Sequence, residues 1–168
     1  FVLRTIAELL LQIQVIDFFK HKEKFINIPF ITKQRIEKII SKIQTYEVYT
    51  NNVLDETKIC KFLESKYSVS FDFQSELPID VLGKIRFNPL KIQITNHLKT
   101  DLARWRFTLA HEIGHLILHS KLLTEKIPEK TDTEFSLSYK YLVSEMTSKR
   151  LEYQANIFAS NLLVPIST

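Results

Sequence analysis

His111-Glu112-Ile113-Gly114-His115 places two histidines four residues apart around a glutamate. On a helix, side chains at that spacing share a face with Cβ atoms about 5–6 Å apart, so two imidazoles can reach one metal ion. Glu112, rotated one residue from His111, stands beside such an ion rather than on it, where it can take a proton from an activated water. At this chain's own His and Glu frequencies the pattern arises by chance about once in 100 such sequences. The setting is helical, with Phe107, Ala110, Leu116 and Ile117 as apolar neighbours. Gly114 is one of only 2 glycines in the chain, placed where a helix-interior glycine costs about 1 kcal/mol relative to alanine.

A catalytic zinc takes three protein ligands and keeps one position open. His119 shares the face of His111 and His115, but it lies eight residues from His111, about 12 Å along a helix axis. Ligand bonds of about 2.0–2.1 Å cannot span that, so His119 is expected at the helix C-terminus, where an imidazole suits the dipole. The longer HExxHxxGxxH pattern fails at Leu118 and Lys121. The last helix offers Glu152, with Asn156 one turn on and the small residues Ala155 and Ala159 permitting close helix approach. Asn156 there can orient a ligand imidazole. Glu145, Glu125, Glu129, Asp132 and Glu134 stay open as alternatives.

Composition narrows the field. The 168 residues suit one domain, or one domain with a helical extension. A single cysteine, Cys60, excludes an internal disulfide framework and a thiolate zinc cluster. Two glycines exclude glycine-rich phosphate loops. The net charge of +4 comes from 17 lysines and 6 arginines against 19 acids, spread along the chain. The densest groups, Lys20, Lys22 and Lys24 and then Lys33, Arg35 and Lys38, are diluted by Glu23 and Glu37, so direct nucleic-acid binding is not expected. Residues 1–19 are apolar but interrupted by Arg4, Glu8, Gln12, Gln14 and Asp17, too polar to span a bilayer and unlike a signal peptide. The expected location is the cytoplasm.

The periodicity predicts helices over residues 1–66. One lies near residues 2–16, a second follows Thr32 with Ile36, Ile39, Ile40 and Ile43 on one face, and a third runs from Asp55 to Lys66. Asn51-Asn52 marks a turn. Val69, Phe71 and Phe73, then Ile85 and Phe87, then Ile92 and Ile94 alternate as strands, the last two joined by a turn at Asn88-Pro89. A helix capped by Thr100 or Asp101 should reach about His119. A polar stretch over 120–146 leads to a final helix starting near Thr147 or Ser148 and stopped by Pro165. The expected fold is α+β: N-terminal helices and a small, mainly antiparallel sheet packed on the HExxH helix and a C-terminal ligand helix.

Arg106 to His119 (RFTLAHEIGHLILH), Glu152 to Ala159 (EYQANIFA) and Leu162 to Pro165 (LLVP) together resemble the ImmA/IrrE metallopeptidase family. The likeness covers roughly residues 55–165, including Leu77-Pro78 to Gly83 and the strand Ile92–Ile94. It implies a zincin-like domain with zinc held by His111, His115 and Glu152, and Glu112 as general base. It further implies a bacterial endopeptidase that cleaves a helix-turn-helix repressor, switching on a mobile-element, phage or stress-response operon. The rival expectation is a metal-binding regulatory module that docks a repressor without cutting it. Gln154 departs from the resemblance, standing where relatives often carry a second glutamate. The 120–146 stretch is long, and the chain ends just after Pro165 where relatives often continue. On this basis residues 1–50 are expected as an N-terminal helical extension and 51–168 as the peptidase domain, truncated at its C-terminus. Tyr153, Tyr139, Tyr141 and His119 are the candidates for an oxyanion donor.

Overall fold

The computed structural model describes residues 29–87, 89–124 and 145–164. Thr32 opens helix α1 (Lys33–Gln44) by accepting from the Arg35 N–H at 3.3 Å, pairing a donor that the helix start leaves free. Ile36, Ile40 and Ile43 recur at helical spacing and are buried. Strands β1 (Tyr49–Thr50) and β2 (Val53–Leu54) form an antiparallel hairpin through Asn51 and Asn52, both at positive φ. The expected turn is thus a tight hairpin, because asparagine tolerates the left-handed backbone that primed turns require. Asp55 caps helix α2 (Glu56–Tyr67), accepting from the Lys58 N–H at 3.0 Å.

Strands β3 (Ser70–Ser75), β4 (Gly83–Phe87) and β5 (Leu90–Thr95) make a three-stranded sheet with β5 in the centre. β4 and β5 pair antiparallel with Ile85 opposite Ile92, whereas β3 runs parallel to β5 with Phe71 opposite Ile92. The sheet is therefore mixed. Residues 76–82 carry the chain past the β5 position to β4, which leaves β4 at an edge among the described strands. Ile85, Ile92 and Ile94 lie on one face and are fully buried.

A 3-10 turn (Asn96–Thr100) leads into helix α3 (Leu102–Thr124), where Asp101 accepts from the Arg104 N–H at 3.1 Å. α3 runs past His119, so that residue is not at a helix end. No glycine or proline follows until Pro128 to stop it. Helix α4 (Glu145–Leu163) begins earlier than Thr147, its first turn supported by a Lys149–Glu145 ion pair at 2.6 Å. The helix expected near residues 2–16, the turn residue Asn88, most of the polar stretch before α4 and Pro165 lie outside the described residues.

α3 packs on β4 and β5 on one side and on α4 on the other, and α1 covers α4. Leu109, Ile113, Leu116, Phe158, Leu162 and the α1 isoleucines share one core. Each such side chain contributes about 1.5–3 kcal/mol on burial, so α1 is part of what holds α4 against α3. Tyr49 adds a tie, its hydroxyl donating to the Leu162 carbonyl at 2.6 Å. No described helix is long and apolar enough to cross a membrane.

Candidate functional site

α3 projects His111 and His115 from one face, and α4 crosses that face at Glu152. The His115 Nε2 and His111 Nε2 atoms are 3.0 Å apart. Glu152 presents one carboxylate oxygen 3.2 Å from His111 Nε2 and the other 3.5 Å from His115 Nε2. Ligand atoms of all three lie within 4.8 Å of one another. Around a tetrahedral ion with bonds of about 2.0–2.1 Å, neighbouring donors stand about 3.3–3.4 Å apart, so these side chains fit a divalent metal without rearrangement. The structure brings together the three ligands expected from the sequence.

The backs of both rings are occupied. His111 Nδ1 meets Asn156 Oδ1 at 2.9 Å, the orienting contact expected of Asn156, and Asn156 Oδ1 accepts the ring N–H there. His115 Nδ1 meets His119 Nδ1 at 3.0 Å, and His119 Nε2 meets Gln154 Oε1 at 3.0 Å. Each arrangement leaves Nε2 to face the site.

Burial and charge set the titration of the cluster. Burial works against the His111 cation, but Glu152 and Glu112 outweigh it and raise its pKa. Burial lowers His115 and, with the His115 ring beside it, pushes His119 down to about 3. Burial also opposes the Glu152 anion, yet the His111 and His115 rings against it hold that carboxyl far below the usual range. Glu112 goes the other way. Its carboxyl is buried and is raised to about 7 by desolvation, with His111 lowering it and Glu152 raising it further.

His111, Glu112, His115, Glu152 and Asn156 line a cleft of about 550 Å³ whose opposite wall is the segment Asp80 to Leu82 and the start of β4, Gly83 to Ile85. Gly83 stands directly against Glu112: a Cβ there would lie 3.0 Å from Glu112 Oε1. The alternatives are elsewhere. Glu145 is exposed and paired with Lys149, and Glu125, Glu129, Asp132 and Glu134 lie outside the described residues, as do Tyr139 and Tyr141. Tyr153 is exposed and does not line the cleft, and His119 is fully buried behind His115 rather than in reach of a substrate. Cys60 is buried, with its thiol pushed up to about 12, so it is no nucleophile. Sequence reasoning missed the roles of Gly83, His119 and Gln154. The 111/115/119 spacing did carry a signal, since the arithmetic that bars His119 from the metal leaves it next to His115.

An HExxH helix between a mixed sheet and a carboxylate-bearing helix, around one cleft, defines a zincin-like metallopeptidase domain. The IrrE N-terminal-like domain family, Peptidase M78, matches residues 85–168, and the chain belongs to this ImmA/IrrE family of metallopeptidases. Metallopeptidase ImmA of Bacillus subtilis (strain 168) is 28% identical over 127 residues, which cover 76% of this chain and 61% of that protein. The chain thus matches under two thirds of its curated relative's length. A Mycobacterium tuberculosis transcriptional regulator superposes with a TM-score of 0.54 at 15% identity, over 90% of this chain and 40% of that one; it shares the fold.

Proposed function

We propose that the chain is a zinc-dependent endopeptidase of the bacterial cytoplasm whose substrate is a helix-turn-helix repressor. Cleavage would release a mobile-element, phage or stress-response operon. In this reading residues 51–168 form the peptidase unit, and residues 1–50 are an N-terminal extension resting on it through α1. The observation that carries the activity is Glu112: a carboxyl buried beside three convergent donors, where a purely structural metal site has no use for a base.

His111, His115 and Glu152 would hold the metal, and two imidazoles with one carboxylate are a donor set suited to catalytic zinc. When bound there, zinc would supply Lewis acidity toward the scissile carbonyl and toward water. Glu112 takes the proton of the attacking water and delivers it to the leaving amine nitrogen. Burial raises this carboxyl's pKa in the metal-free protein, and a cation held beside it would draw it back toward the ionised form that accepts a proton. β4 lies at the edge of the described sheet and runs along the cleft, so an extended peptide can add to it as a strand. The repressor as substrate is supported by the likeness of both motif blocks to a family whose members act on such proteins.

The test is incubation with the repressor encoded beside the gene, with and without a chelator, read by mass spectrometry. Wild type should cut at a defined bond, the chelated protein should not, and Glu112→Gln should keep metal yet leave the repressor whole. A metal-loaded wild type that binds the repressor without cutting it would make the chain a docking module instead.

A further inference from the structure

The two ligand histidines are held from behind by different means, and the one behind His115 has a direction. A neutral imidazole carries one proton and can present either nitrogen, so a ring-to-ring contact does not by itself decide which ring donates. The deciding group lies further back. Gln154 Nε2 is 3.3 Å from the carbonyl oxygen of Ile31, just before α1. A carbonyl only accepts, so the Gln154 amide nitrogen donates there, and Gln154 Oε1 is the atom 3.0 Å from His119 Nε2. That oxygen also only accepts, so His119 carries its proton on Nε2 and its Nδ1 is bare. The 3.0 Å contact between the two Nδ1 atoms is then donated by His115, whose Nε2 lone pair faces Glu152 and His111. His115, His119 and Gln154 are at most 2% exposed, so bulk water does not reach the links between these three side chains.

We infer that His119 and Gln154 are positioning residues that fix His115 in its Nδ1–H tautomer through a one-way hydrogen-bond relay ending on the Ile31 carbonyl. Its use, presenting His115 Nε2 to a metal, rests on the function proposed above; its geometry does not. Free histidine favours the opposite tautomer, so without the relay part of the population would turn a proton toward the metal. The relay also makes the entry to α1 a component of the metal site, 84 residues away along the chain from His115.

Long-range proton–nitrogen correlation spectra of the nitrogen-15-labelled full chain, metal-free at about pH 8, read the tautomers directly. Wild type should show His115 as Nδ1–H and His119 as Nε2–H; His115 as Nε2–H would overturn the relay. Gln154→Met removes the acceptor at similar volume and frees His119 to reverse. His115 should then become a mixture, and zinc affinity, measured by chelator competition, should fall about 10–100-fold. Gln154→Glu keeps an oxygen acceptor and should restore both tautomers and most of the affinity. Gln154→Met with native tautomers and affinity would reduce Gln154 to packing and overturn the relay; if that variant does not fold, the wild-type spectrum still decides. Zinc failing to bind a wild type with the stated tautomers would sink the metal reading and leave the relay standing.

Discussion

Gly114 on α3 lies against the backbone of Ala155 on α4, so that a Cβ at 114 would meet Ala155 Cα, the Ala155 carbonyl oxygen and Phe158 Cδ1, each at 3.2 Å. That approach sets where Glu152, one turn before Ala155, meets His115, the neighbour of Gly114. Backbone atoms cannot swing aside as a side-chain tip can, so a methyl group must move α4 by tenths of an ångström. Gly114→Ala gains about 1 kcal/mol of helix propensity, offset by this crowding. Its melting temperature should stay within a few degrees of wild type while metal affinity falls about 10-fold. A raised melting temperature with unchanged affinity would show slack at the crossing.

Glu152→Ala removes one of three donors and should weaken metal binding by at least about 100-fold. Glu145→Ala breaks only an exposed ion pair with Lys149 and should leave affinity within about twofold. Chelator competition on both variants separates the helix carboxylate from its neighbours. Normal affinity in Glu152→Ala would mean that another carboxylate completes the site.

What the sequence made legible is what local spacing encodes. His111, Glu112 and His115 are fixed by one helix, so four residues of register suffice to place them. Thr32, Asp55 and Asp101 cap helices within three residues of themselves. Glu152 and Asn156 were reachable because Ala155 and Ala159 mark a face that can approach another helix. The relay was not, because it joins residues 31, 115, 119 and 154 from three helical segments, and no local pattern orders that contact. The alternation of Val69, Phe71 and Phe73 announced a strand but not its partner, so the parallel pairing of β3 with β5 was invisible. Gly83 carried no pattern either, since the crowding that demands glycine there comes from α3.

The buried Glu112 carboxyl predicts a pH dependence for the metal-free protein. Its folded pKa of about 7 lies above the ordinary 4.5, so the folded state retains a proton that the unfolded state has released. Its contribution to stability is therefore fully present below about pH 4.5 and is lost as pH rises through 7. The shift corresponds to roughly 3 kcal/mol. Glu112→Gln keeps a neutral group in the same place, so its advantage over wild type should be near zero at acid pH, grow as pH rises from about 4.5 through 7 and level off above that. Melting curves of both proteins in chelator across that range measure it. A constant difference at every pH would mean that Glu112 is not desolvated.

Gly83 makes the sharpest demand on the cleft. An alanine Cβ there would fall 2.7 Å from Thr108 Cγ2, closer than such atoms approach, and 3.0 and 3.1 Å from Glu112 Oε1 and Cγ. Thr108 cannot simply rotate, because its hydroxyl donates to the Arg104 carbonyl at 2.8 Å and turning the methyl away would break that bond. Gly83→Ala should cost about 1–3 kcal/mol of stability through overpacking. It should also reduce repressor cleavage by at least about 100-fold through displacement of Glu112, while metal affinity stays within a few-fold because no ligand is touched. Adding Thr108→Ser removes the 2.7 Å contact and keeps the hydroxyl. The double variant should regain most of the stability and little of the cleavage, since Glu112 remains crowded. Melting temperature, chelator competition and repressor cleavage on the single and double variants resolve the two contacts. Cleavage at the wild-type rate by Gly83→Ala would show that the base has room to move, and the β4 edge would then not be what holds it in place.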